Sequence, residues 1–169
     1  MLLHSQSKSA VKRKSKTPRL NGRSTQCFHL IPTLVDVVRC FPKHEVLARF
    51  RVNEILDLVP SEDNGNYGLK VSIDTDFGPI YVSIASKKLL TFKQSIVCAS
   101  CSAKGSYFLL LRNPHAKGRA SLELFTEDDR LLTRDHIMPR SLGGSNDMSN
   151  SQTMCLTCNS KKGSKLPEC

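Results

Sequence analysis

The sequence predicts an α+β chain, with a small β-rich N-terminal section followed by a zinc-stapled C-terminal unit. Three observations predict it. Two pairs of apolar runs, 69–73 with 80–84 and 107–112 with 121–125, each flank a turn and read as antiparallel hairpins. Two Cys-x-x-Cys pairs, Cys98/Cys101 and Cys155/Cys158, supply four thiolates, the ligand set of a closed structural zinc site. From residue 131 to 164 a short apolar run leads through a Pro/Gly loop to a lysine-rich end, and it holds more candidate ligands and acid/base groups than any other stretch.

The first element is a basic tail. Of the 25 Lys and Arg residues, Lys8, Lys12, Arg13, Lys14, Lys16, Arg19 and Arg23 fall within residues 1–25, where there is no acid. The remaining 18 face 15 acidic residues, so most of the net charge of +10 belongs to this tail. It is Ser-rich and lacks aromatics, a composition that stays disordered in isolation. A nucleic-acid-binding arm, a localisation signal (VKRKSK), an organellar transit peptide and a merely solvated tail all fit it. The overall charge favours a polyanionic partner such as nucleic acid.

Residues 26–96 form the β-rich section. Runs 30–38 and 46–59 are apolar, and Val46, Ala48, Phe50 and Val52 alternate as a strand does. A turn at 61–66 precedes the first hairpin, and 87–93 suits a short helix or a further strand. His29 and His44 are isolated and read as packing or surface groups. Nothing catalytic is legible here. The internal boundary is placed near Thr91 to Val97, which leaves residues 97–169 as the C-terminal unit.

No apolar run reaches the roughly 18–20 residues a membrane helix needs, and the apolar start at Met1-Leu2-Leu3 is too short for a secretory signal. The expected setting is therefore intracellular: cytoplasm or nucleus, or an organelle if the tail is a transit peptide. There the seven cysteines favour metal ligation over disulfides. A redox role fits poorly, since neither Cys pair opens a βαβ pattern.

The last stretch reads in order as a strand at Leu131, Leu132 and Thr133, a loop from Pro139 to Gly143-Gly144, then Asn150, and finally Cys155-x-x-Cys158-Asn159 with Lys161 and Lys162 behind it. As a set, LLTRDHIMPRSLGG, Asn150 and CLTCNSKKG resemble the HNH endonucleases, the ββα-metal nucleases with an added zinc site. The resemblance covers residues 131–164 closely and reaches back to Cys98. It implies a strand into Asp135-His136, a loop, a second strand after Asn150, and a helix from Cys155 or Leu156 that carries Asn159, with Thr157 placed to cap it.

The resemblance also implies that Asp135 and Asn159 hold a catalytic ion and that Asn150 orders the loop presenting His136. An imidazole titrates near working pH, which suits His136 to general-base work. Two hard oxygen ligands favour Mg²⁺ or Mn²⁺. Arg134, Arg140, Lys161 and Lys162 are candidates to grip the nucleic-acid backbone, or are solvated charges. Asn159 stands where many family members have His, and the first Cys pair lies unusually far upstream. Neighbours on a strand point to opposite faces, so Asp135 and His136 must lie where the strand ends or bulges.

The expected activity is metal-dependent hydrolysis of DNA phosphodiester bonds, with double-stranded DNA as the partner. A nuclease acting on RNA and a non-catalytic zinc module that binds nucleic acid are the alternatives.

Overall fold

The computed structural model describes residues 19–21, 41–63, 65, 67–76, 78–115 and 119–166. Its strands are β1 (Arg19–Asn21), β2 (Glu45–Arg51), β3 (Lys70–Thr75), β4 (Gly78–Ser83), β5 (Gly105–Arg112), β6 (Ala120–Thr126), β7 (Leu131–His136) and β8 (Ser151–Cys155). Short helices α1 (Val52–Leu56), α2 (Lys87–Gln94) and α3 (Leu156–Lys162) lie between and after them. The expected run at 30–38, His29 and nearly all of the basic tail lie outside the described residues. Of that tail, Arg19–Asn21 is described and pairs in parallel with β3, so this short piece is part of a sheet.

Both expected hairpins are present. Strand β3 pairs antiparallel with β4, and β5 with β6. Residues 46–59 split into β2 and α1, because the alternation that makes a strand stops where Val52-Asn53-Glu54 begins a helical turn. Residues 87–93 are helical. Ser86 Oγ caps α2 by accepting from the Leu89 N–H at 3.3 Å, satisfying one of the orphan donors of the first turn.

Two sheets result. The smaller has the order β1-β3-β4; the larger is antiparallel throughout, in the order β2-β5-β6-β7-β8. Strand β5 (GSYFLLLR) is buried at every position from Tyr107 to Leu111, as a strand covered on both faces must be. Its Phe108 and Leu110 face the main core with Phe50, Leu124, Leu132 and Phe92 of α2. Tyr107, Leu109 and Leu111 face a second cluster with Phe125 and Leu131. The Phe92 and Phe108 rings lie 6.2 Å apart in tilted contact.

These sheets and short helices agree with an α+β class. The boundary expected at 96/97 does not divide the packing. Strand β2, upstream of it, is an edge of the sheet whose other four strands lie downstream, and one core draws on both sides. No helix among the described residues is long and apolar enough to cross a membrane.

Candidate functional site

The four cysteines come together. The sulfurs of Cys98, Cys101, Cys155 and Cys158 all lie within 4.8 Å of one another, and Cys101 Sγ is 3.7 Å from Cys155 Sγ. The first pair sits on a tight knuckle. Cys98 N–H donates to the Ala103 carbonyl and Ser102 N–H to the Cys98 carbonyl, with Ser102 at φ +59° closing the turn. Ala99 N–H donates to the Thr153 carbonyl at 2.9 Å, which ties the knuckle to β8. The second pair straddles the start of α3. Here the cap is Cys155 rather than Thr157, since the Cys155 sulfur accepts from Cys158 N–H at 3.4 Å.

Local fields within the cluster differ. Burial pushes the Cys98 thiol up, but backbone N–H groups of Cys101, Cys155 and Ser100 aimed at its sulfur outweigh that and bring it down to about 6. Burial drives the Cys155 thiol up to about 12, and its cysteine neighbours add to the rise. Four sulfurs this close cannot all be thiolates without a cation among them. With one, they form a four-thiolate metal site.

The loop between β7 and β8 is held by one side chain. Asn150 Oδ1 accepts from Met138 N–H at 2.7 Å, while its Nδ2 donates to the Met138 carbonyl at 3.0 Å and the Ser145 carbonyl at 2.7 Å. The Gly143-Gly144 pair is needed for two different reasons. Gly143 has φ +87°, whereas a Cβ on Gly144 would lie 2.0 Å from the Met138 carbonyl oxygen. The loop closes only because that backbone approach is free of a side chain.

Strand β7 ends at His136, as the geometry of the Asp-His pair requires. The Asp135 side chain turns inward. Its Oδ2 accepts from Gln152 Nε2 at 2.8 Å and from Lys162 Nζ at 2.7 Å. Lys162 Nζ also donates to the His136 carbonyl. Two positions earlier on the same strand face, Thr133 Oγ1 donates to the Met154 carbonyl at 2.9 Å and accepts from Asn159 Nδ2 at 3.0 Å. The Asn159 amide oxygen is thereby left without a hydrogen-bond partner among the described residues. A carboxylate and an amide oxygen thus come from adjacent elements, and the Lys162 ammonium lies on the carboxylate.

His136 faces the loop. Its Nε2 is 3.1 Å from Asn146 Oδ1. Arg134 Nη2 reaches that same atom at 3.1 Å, and a guanidinium only donates, so the atom is the amide oxygen. In the neutral ring Nε2 therefore carries the proton and Nδ1 keeps its lone pair. Asn146 is held from behind as well: Lys87 Nζ of α2 donates to its carbonyl at 2.7 Å.

The four basic candidates part company. Arg140 and Lys161 are exposed. Arg134 bonds Ser151 Oγ through Nε and Nη2, at 2.9 and 2.8 Å, and Lys162 lies on Asp135 with 11% of its side chain exposed. These two differ from the expected solvent-facing grips because each has a nearer internal acceptor. Asn146, Gln152, Thr133 and Lys87 are contributors the sequence did not single out. Ser145-Asn146-Asp147 read only as a turn, and the strand spacing of Thr133 from Asp135 was the one local signal that could have found a partner for Asn159.

Residues 125–169 match the family model described as HNH endonuclease. That span contains β7, the loop, β8 and α3, with every group of the Asp135–His136 site except Lys87. No curated protein and no solved structure gives a match.

Proposed function

We propose that residues 131–164 form the active site of an HNH endonuclease that hydrolyses DNA phosphodiester bonds with a single divalent ion, and that the four cysteines hold a structural zinc. The observation that carries the reading is the order β7–loop–β8–α3, two strands and a helix as such nucleases would need, with Asp135 and His136 ending β7 and Asn159 bonded to Thr133 of the same strand. The family match over the same residues supports it.

The residues fit both metals. Zn–S bonds of about 2.3 Å set tetrahedral S···S edges near 3.8 Å, against the 3.7 Å between Cys101 and Cys155. Asp135 and Asn159 offer hard oxygens suited to Mg²⁺ or Mn²⁺, and the Asp135 carboxylate is paired with the Lys162 ammonium. An ion there would polarise the scissile phosphate and stabilise the departing oxygen.

His136 acts as general base through Nδ1, withdrawing a proton from the attacking water while Asn146 holds Nε2–H and fixes the ring. Asn150 keeps the loop, and with it the ring's surroundings, in place before substrate arrives. Arg140 and Lys161 supply positive charge at the surface.

Nicking of supercoiled plasmid with Mg²⁺ or Mn²⁺ tests the reading. His136→Ala is expected to lower the rate by about 10²–10⁴-fold, the usual contribution of a general base. Equal nicking by both proteins ends the base assignment. A second reading, a module that binds nucleic acid without cutting it, has one observation in its favour, the Lys162 ammonium seated on Asp135. Absence of cleavage by wild type with any divalent ion would establish that reading. Cleavage of RNA but not DNA would reassign the substrate and leave the residue roles standing.

A further inference from the structure

Beyond Lys162 the surface opens into a groove of about 430 Å³ between the first cysteine knuckle and α3. Lys161, Lys162 and Lys165 line one side, Ser100 the knuckle side, and exposed Leu166 supplies apolar surface above the buried Met154. No acid lines it. Lys162 is committed to Asp135, but Lys161 and Lys165 have no ion-pair partner among the described residues. Gln152 and Lys162 belong both to the groove lining and to the Asp135 carboxylate, so the groove starts at the proposed ion site and leads away from it.

We propose that this groove binds a phosphodiester of the substrate strand flanking the one that is cleaved. Its phosphate lies between the Lys161 and Lys165 ammoniums, and its sugar lies against Leu166. Two unneutralised cations beside apolar surface match the alternation of charge and carbon along a nucleic-acid backbone, and such contacts set register without reading sequence. The proposal rests on the nuclease reading of Asp135 and His136 only in taking the bound strand to be the substrate.

Binding of a short fluorescein-labelled DNA duplex to the full zinc-loaded chain, with no other divalent ion present, tests it separately from cleavage. The Lys161→Gln/Lys165→Gln variant is expected to bind about tenfold more weakly at moderate salt. The slope of log K against log salt should flatten by roughly 0.9 for each phosphate that the variant no longer neutralises. Lys43→Gln/Lys70→Gln removes the same charge at exposed positions outside the groove and controls for net charge. A neutral methylphosphonate placed at each linkage in turn should weaken wild-type binding at one flanking linkage and leave the Lys161/Lys165 variant indifferent there. Equal weakening in the two double variants, or a variant as sensitive as wild type at that linkage, would overturn the groove. Wild type that shows the expected binding but never cleaves would sink the nuclease reading and keep the groove. A single-stranded RNA arm showing the same dependence would keep the groove and widen its substrate.

Discussion

Lys162 alters what Asp135 can do. An ammonium 2.7 Å from a carboxylate, with both side chains about nine-tenths buried, is a pair whose halves depend on each other. Removing one half leaves a buried charge uncompensated, at a cost of roughly 3 kcal/mol. Lys162→Met should therefore lower stability by about that much in urea unfolding without added divalent ion. Mn²⁺ should then stabilise the variant more than it stabilises wild type, because the ion no longer competes with the ammonium and ligand stabilisation grows as affinity tightens. Equal Mn²⁺ effects on the two proteins would show that ion and lysine do not share a place. A lysine's direction is invisible in sequence: the same Lys-Lys pair puts Lys161 in solvent and Lys162 on Asp135, because only the second finds internal acceptors. The adjacent glycines divide similarly. Gly144→Ala sets a methyl against the Met138 carbonyl and should cost about 1–3 kcal/mol by overpacking, with a slower nicking rate as the Asn150 latch shifts. Gly143→Ala meets open space and carries only the left-handed backbone penalty of about 1–2 kcal/mol. A Gly144 variant with wild-type stability and nicking would remove the close-approach argument.

At the scale of elements, the joint between β8 and α3 is the critical one. Cys155 ends the strand and caps the helix, Cys158 lies one turn on, and Asn159 follows it directly. A helix of seven residues has little stability of its own, so a metal held by Cys155 and Cys158 would also keep Asn159 near Thr133. Chelator titration is expected to find about one equivalent of zinc in wild type, and Cys155→Ala should lose it and lose nicking together with it. Zinc retained in full would dismiss the four-cysteine site, and nicking retained without zinc would separate the two metals. This joint was legible because its signals are local: a Cys-x-x-Cys spacing, a turn-rich loop, and the strand-forming run Leu131-Leu132-Thr133 ahead of it. The two hairpins were legible for the same reason. The pairing of β2 with β5 was not, since register between strands more than fifty residues apart leaves no mark in either sequence. The Asn146 contacts were hidden likewise, because an asparagine in a turn is already accounted for by the turn itself.

Over the whole molecule that long-range pairing joins the section of no legible chemistry to the site. Phe50 of β2 and Phe92 of α2 share a core with Phe108, Leu124, Leu132 and Met154. From the same helix as Phe92, Lys87 reaches the Asn146 carbonyl. Residues 41–96 thus cover one face of the sheet and support the residue that orients His136. A fragment of residues 97–169 keeps all four cysteines and the whole span of the family match. It would nevertheless expose Phe108 and Leu110 and leave β5 as an open edge. Unburying a single such side chain costs about 2–3 kcal/mol, and several together exceed the 5–15 kcal/mol that holds a domain folded. The fragment is therefore expected to bind zinc without forming a cooperative structure, giving poorly dispersed amide NMR signals and no nicking. In the intact chain, Phe50→Ala and Leu132→Ala should each lower one common unfolding transition by about 3 kcal/mol, although they lie on opposite sides of residue 97. A well-dispersed, active fragment, or two separate transitions each sensitive to only one of these substitutions, would show that the upstream section is an independent unit.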